Sequence, residues 1–161
     1  MIYTDTRDSS VSVDFKTAVL NGMNPQTGGL YMPVEIPLLN KAFLGKTPEP
    51  SFRDVAYESA KLFVEGEIND SNLQSIIADA YPFNAQVVPS DPVSYVLELL
   101  HGPTCAFKDF GARFMARVMS YFNRDENTPL HILVATSGDT GSAVGSAFHN
   151  VPGLDVTILY P

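Results

Sequence analysis

Leu130-His131-Ile132-Leu133-Val134-Ala135-Thr136-Ser137-Gly138-Asp139-Thr140-Gly141 sets the reading of the whole chain. Its first six residues form a nearly unbroken apolar run of the kind a parallel sheet buries on both faces. The next six are glycines, hydroxyls and one acid, and a small-residue helix is expected from Gly141 to His149. Upstream, Tyr95 to Leu100 reads as another strand and residues 109 to 123 as a helix. Asp109 is placed to cap that helix. Phe110, Phe114, Val118 and Phe122 line one stripe of it, and Arg113, Arg117, Ser120 and Arg124 line another that reads as a solvated face. Downstream, Asp155 to Tyr160 is a third strand. Strand, helix, strand, helix, strand is the order of a parallel α/β sheet with right-handed crossovers, whose sites gather at the carboxyl ends of the strands.

Two loops belong at those ends. In Thr136 to Gly141, backbone N–H groups and a helix dipole converge, and the glycines allow close approach, so the loop is suited to an anion. Asp139 opposes a phosphate there, which favours a substrate carboxylate or a protonated ring substituent as its neighbour. Helix capping by Ser137, Asp139 and Thr140, with Gly138 and Gly141 present for packing, accounts for the same residues equally well. Neither the P-loop pattern nor the G-x-S-x-G order of a hydrolase is present.

The other loop is His101-Gly102-Pro103-Thr104-Cys105-Ala106-Phe107-Lys108-Asp109-Phe110-Gly111. It sets Lys108 among phenylalanines at the mouth of a helix, where desolvated flanks and the positive dipole end disfavour a cation. An amine so placed is a nucleophile for carbonyl groups, which makes Lys108 a candidate Schiff-base lysine. The plainer alternative is a surface lysine with its stem on aromatic rings. His101 reads as a structural hydrogen-bonder, His131 as a core residue, His149 as a dipole partner and Cys105 as a small hydrophobe. The histidines have no metal-ligand spacing, and no metal site is expected.

Residues 1 to 91 read as a small α+β, largely helical subdomain, and residues 92 to 161 as the start of a ligand-binding α/β domain. In the first part, Val13 to Leu20 suggests a helix stopped at Asn21-Gly22, and Asn24 to Gly29 is turn chemistry before a strand at Leu30 to Met32. Pro37 to Leu44 suggests another helix. Ser51 with Asp54, and Ser71 with Gln74, look like capping boxes of two amphipathic helices. The net charge of −8 and only 10 Lys and Arg argue against a nucleic-acid partner. No apolar run approaches membrane-spanning length, and the first residues lack signal-peptide character. The single cysteine rules out an internal disulfide. A cytoplasmic protein is expected, of undetermined oligomeric state. The strand-like Leu154 to Pro161 at the chain end suggests a piece of something longer.

Leu97 to Gly111 and Ala135 to Gly141, with Thr27-Gly28-Gly29-Leu30-Tyr31-Met32-Pro33 before them, resemble the threonine synthase family. The resemblance covers essentially the whole chain, with three motifs in the family's order. It implies a pyridoxal-phosphate enzyme of the tryptophan-synthase β-like fold type II, a three-layer parallel-sheet architecture of which this chain carries the first part. It implies that Lys108 holds pyridoxal 5'-phosphate as a Schiff base and that Asp139 lies against the cofactor. Ser137, Gly138, Asp139, Thr140 and Gly141 would form the loop against the cofactor ring and the substrate carboxylate. The implied reaction converts O-phospho-L-homoserine and water to L-threonine and phosphate. The family's glycine-rich loop for the cofactor phosphate lies beyond these residues, so negligible turnover is expected of this chain alone. Two alternatives remain: a related enzyme, such as a serine or threonine dehydratase or a phospho-amino-acid lyase, and a non-catalytic anion-binding module.

Overall fold

The computed structural model describes residues 1–161, which divide into two compact units, Met1–Ser75 and Ile76–Pro161. The first is built around strand β1 (Tyr3–Asp5), which pairs antiparallel with β2 (Ser12–Val13) on one side and β3 (Tyr31–Pro33) on the other. Pro33 costs this sheet nothing, because β3 is an edge strand with one side free of ladder bonds. The turn before β3 closes on itself, with Gly28 N–H donating to Asn24 O and Asn24 N–H to Gly29 O, each at 2.8 Å. Gly28 sits at φ 69°, a conformation glycine adopts without cost.

Asp5, at the end of β1, is the knot of that turn. It is only 1% exposed and accepts from Asn24 Nδ2 at 2.7 Å, from the Thr27 hydroxyl, and from the backbone N–H groups of Arg7 and Asp8. A Cβ on Gly29 would fall 1.8 Å from Asp5 Oδ1, so glycine is the residue that lets the carboxylate reach its donors. These bonds hold the Asp5 carboxyl below its ordinary range, the Thr27 hydroxyl contributing most.

The helices of this unit follow their caps. In α1 (Phe15–Asn21), the Asp14 side chain accepts from Thr17 N–H, and Gly22 at φ 65° ends the helix as its sequence suggests. Glu67 adds a second carboxylate at the same end, accepting from Phe15 and Lys16 N–H at 2.8 Å each. Helix α2 is shorter than its sequence suggests, Lys41–Leu44, because Asn40 caps it by accepting from Ala42 N–H. Helix α3 (Phe52–Val64) opens with the expected Ser51–Asp54 capping box. Helix α4 (Asp70–Ala80) starts earlier than the Ser71–Gln74 pattern implies, since Asn69 Oδ1 accepts from Asn72 N–H and does the capping. Tyr3, Phe15, Phe43, Val64, Ile68 and Leu73 are buried. Burial pushes the Tyr3 phenol up to about 12, while its hydroxyl donates to Phe63 O at 3.0 Å.

In the second unit, β4 (Gln86–Pro89) and β5 (Tyr95–Glu98) form an antiparallel hairpin whose turn is closed by Asp91 accepting from Val93 and Ser94 N–H. The strand expected from Tyr95 is therefore present but pairs with β4, a strand not foreseen. Helix α5 (Lys108–Asn123) leads to β6 (Leu130–Ala135), α6 (Asp139–Phe148) and β7 (Leu154–Leu159). Strands β6 and β7 are parallel, in register from Leu130 opposite Leu154 to Ala135 opposite Leu159.

Burial alternates along β6. Leu130, Ile132 and Val134 are half-buried while His131, Leu133 and Ala135 are exposed, so the run is not covered on both faces as expected. His131 is thus not a core residue; its Nε2 lies 2.9 Å from Thr157 Oγ1 on the open face. On α5 the deeply buried positions are Asp109, Ala112, Ala116, Val118, Met119 and Asn123, so small side chains set the packing and the phenylalanines lie beside it. Phe110 stacks edge-on with Phe83 at 5.2 Å and accepts from the buried Tyr81 hydroxyl on its carbonyl. Burial pushes that phenol up to about 12. No helix of the chain is long and apolar enough to cross a membrane.

Candidate functional site

The loop between β5 and α5 is folded by Asp109. This residue is 1% exposed and lies inside the first turn, not at the cap position. Its Oδ2 accepts from Thr104 N–H and its Oδ1 from the Thr104 hydroxyl, both at 2.8 Å. A Cβ on Gly102 would fall 2.4 Å from Asp109 Oδ2 and 2.5 Å from Asp109 Cβ, so the loop can lie on this side chain only with glycine there. Cys105 takes φ 57° where the loop turns, its N–H donating to Gly102 O at 3.1 Å, and it is exposed. His101 Nε2 sits 2.9 Å from Glu98 Oε2. Asp109 is the residue whose role the sequence pattern misassigns. The signal for it is a glycine and a threonine shortly before an acid in the first helical turn.

Anchored in this way, Lys108 becomes the first residue of α5. Its Nζ lies 4.2 Å from the centre of the Phe107 ring and donates to Asp139 Oδ2 at 2.8 Å. The ammonium is paired with an acid and rests on an aromatic face. The desolvated amine suggested by the flanking phenylalanines is replaced by a partly exposed ion pair, with Lys108 29% and Asp139 58% exposed. The Lys108 hydrogen bond is the main reason the Asp139 carboxyl sits below its ordinary range. The two loops singled out by sequence therefore meet, each just past the carboxyl end of a strand.

The second loop separates into structural and open positions. At Gly141 a Cβ would come within 2.4 Å of Thr136 Cγ2 and 3.4 Å of Ile158 Cγ2, so close packing of α6 explains this glycine. At Gly138, the N-cap of α6, a Cβ would meet nothing within 4 Å. Packing gives no reason for that glycine. No side chain caps α6, which removes the capping explanation for Ser137 and Thr140. Gly138 N–H donates to Thr136 Oγ1 at 3.3 Å, a bond that shapes the loop. Ser137, Gly138 and Asp139 are exposed and Thr140 is half-buried. The arrangement offers a reachable amine, an aromatic face, a carboxylate and free space over a glycine at a helix start. That set fits a carbonyl compound with a ring and a polar substituent.

The sequence profile described as "Threonine synthase N terminus" matches residues 2–81. Among curated proteins, the threonine synthase of Buchnera aphidicola subsp. Baizongia pistaciae is 42% identical over 150 residues, covering 92% of this chain and 35% of that protein. The threonine synthase of Escherichia coli is 39% identical over 158 residues, covering 96% of this chain and 36% of that protein. Its crystal structure superposes at a TM-score of 0.87 with 36% identity, over 100% of this chain and 37% of the other. A PLP-bound threonine synthase from Brucella melitensis superposes at 0.89 with 35% identity, over 100% of this chain and 36% of the other. The chain thus spans about a third of the length of the relatives it matches, and its fold is that of the corresponding part of these α/β enzymes.

Proposed function

Because the chain belongs to the threonine synthase family, we propose that it is the lysine-bearing part of an enzyme that converts O-phospho-L-homoserine and water to L-threonine and phosphate. The observation that carries the proposal is the meeting of Lys108 Nζ with Asp139 Oδ2, beside the unobstructed Gly138. Lys108 is proposed as the residue that binds pyridoxal 5'-phosphate covalently, and Asp139 as an acceptor for a polar group on the cofactor ring. The cofactor, when bound, supplies an electron sink for the carbanion formed on the substrate. Lys108 would hold the cofactor through Nζ, and the same amine would serve as general base at the substrate α carbon and then as acid at a neighbouring position. Gly138, over which a Cβ would meet nothing, would leave room for the ring, and Ser137 and Thr140 would offer hydroxyls beside the α6 N-terminus for the substrate carboxylate, with Gly141 holding the helix against β7.

The proposal divides the chain functionally at residues 1–91 and 92–161, the second part opening the cofactor-binding domain; the compact unit that contains Lys108 and Asp139 begins earlier, at Ile76. A cytoplasmic setting and a small-molecule substrate are part of it.

The test is covalent labelling. Pyridoxal 5'-phosphate followed by borohydride, with peptide mass mapping, is expected to mark Lys108 in the 161-residue chain, weakly and in preference to the other lysines. Labelling spread evenly over all lysines, or unchanged in its total by Lys108→Ala, overturns the cofactor assignment. Steady-state turnover of O-phosphohomoserine by a protein carrying the full family length, scored for threonine against 2-oxobutyrate, separates threonine synthesis from a dehydratase on the same fold.

A further inference from the structure

Of the α5 stripe read from sequence as a solvated face, Arg124 does stay at the surface, donating to Tyr121 O and pairing with Asp125, but Arg113, Arg117 and Ser120 are clamps. Arg113 Nε donates to Ala80 O at 2.6 Å and its Nη2 to Asp79 O at 3.0 Å, covering carbonyls at the end of α4. Arg117 Nη1 donates to Ala147 O at 2.6 Å, in the last turn of α6, and its Nε donates to Asp79 Oδ2 at 2.7 Å. Ser120 Oγ donates to Pro152 O at 2.6 Å and Asn123 Nδ2 to Gly153 O at 3.0 Å, on the turn after α6. The last carbonyls of a helix have no partner inside it, and a cation there also meets the negative end of the dipole.

Arg117 differs from the others in where its bond falls. Lys108 and Asp139 are the first residues of α5 and α6, and they touch. Nine residues along α5 is Arg117, and eight residues along α6 is Ala147, and these touch as well. At a rise of 1.5 Å per residue the two spans are about 13.5 and 12 Å, equal to within one residue. The helices therefore lie side by side in the same direction, joined by two rungs. Between the rungs the buried Ala112, Ala116 and Ala143 let the backbones approach closely. The lower rung is well fixed, since the Arg117 side chain is 14% exposed and shared with Asp79. Toward α6, Ser120 and Asn123 get no further than the turn beyond it; Arg117 alone of the stripe bonds α6 itself.

We propose that Arg117 is a positioning residue for the Lys108–Asp139 pair, its bond to the Ala147 carbonyl setting the stagger of α5 against α6 that brings amine and carboxylate together. The inference concerns the pair itself and holds whether or not the site takes a cofactor. Its readout is the titration of the Asp139 carboxyl, followed by side-chain NMR at low salt in the 161-residue chain and assigned with Asp139→Asn. In the wild type the midpoint is expected below the ordinary carboxylate range, because Lys108 donates to this carboxylate. In Arg117→Met, which keeps the stem and removes every donor, it is expected to return to that range. Arg117→Lys keeps the charge but places its donors on a single nitrogen in place of the fork that reaches Asp79 and Ala147, so its midpoint is expected to fall in between, and this variant carries the test if the methionine variant does not fold. Val118→Ala, a cavity in the same helix away from the clamp, controls for general loosening and is expected to leave Asp139 unmoved. A folded Arg117→Lys or Arg117→Met with the wild-type midpoint overturns the inference, as does an equal shift in Val118→Ala at matched loss of Tm.

Discussion

Asp5 and Asp109 are built alike and used differently. Each is an aspartate only 1% exposed, each accepts from a threonine hydroxyl and a backbone N–H, and each lies against a glycine whose Cβ would collide with it. Around Asp5 the device is closed: Asn24, Thr27, Arg7 and Asp8 all spend their donors on it, and what it holds is a turn. Around Asp109 the device is open at one end, because the residue before it is Lys108, whose amine is carried to Asp139. A buried carboxylate with a glycine is thus a way of folding a loop, and the loop's function is decided by what stands next to it.

The largest expected effect breaks the closed device. Gly29→Ala puts a Cβ 1.8 Å from Asp5 Oδ1 and 3.1 Å from the Arg7 backbone nitrogen, and the latter cannot swing away. A loss of about 3 kcal/mol is expected, at the upper end for overpacking, read from denaturant midpoints followed by circular dichroism. A stability within error of wild type would mean that the Asp5 knot is not needed for the fold.

Gly102→Ala breaks the open device. The new Cβ would lie 2.5 Å from Asp109 Cβ, an atom fixed by the helix backbone, so the loop must lift away. Destabilisation of about 2 kcal/mol is expected, together with a fall in specific borohydride-trapped labelling of Lys108. Loss of stability with Lys108 labelling intact would show that Asp109 does not present the lysine.

Acid separates the closed device further. The Asp5 carboxyl is depressed in the folded chain, so its contribution is fully present above the unfolded carboxylate value, about 4. It is lost as pH falls through the lower folded value. Thr27→Val removes the bond that contributes most to the depression. Its acid unfolding midpoint is expected to move up relative to wild type, measured by circular dichroism across pH 2 to 5. An unmoved midpoint would assign the acid sensitivity elsewhere.

Elements with local signals were legible. The Ser51–Asp54 box starts α3, Gly22 ends α1, and the Lys108 and Ser137–Gly141 loops follow strands as their sequence suggests. What escaped depends on partners far along the chain. Strands β1 and β2 have three and two residues, too short for any alternation to register. The arginines of α5 bond to backbone carbonyls some thirty residues away, acceptors every residue possesses and no composition reveals. Asp109 sits where a cap is expected and bonds backwards into its loop instead. His131 follows the apolar run of β6 in sequence but falls on its open face, because alternation assigns faces and the run conceals it. In the candidate site, residue identity pointed to the two loops, while the ion pair that joins them needed the stagger of two helices.

The smallest effect on stability carries the finest distinction. Gly138 and Gly141 are three residues apart in one loop, and sequence offers the same two explanations for both. At Gly141 a Cβ meets Thr136 and Ile158, and alanine there should cost stability as overpacking does. At Gly138 a Cβ meets nothing, and φ −136° is backbone any residue adopts, so Gly138→Ala should lie within about 0.5 kcal/mol of wild type. If the space over Gly138 is reserved for a ring carried by Lys108, the same methyl group should lower the rate of specific Lys108 labelling while the fold stays as stable as before. Labelling unaffected by alanine, with valine also tolerated, would leave Gly138 a bystander and move the ring's expected position away from the α6 N-terminus.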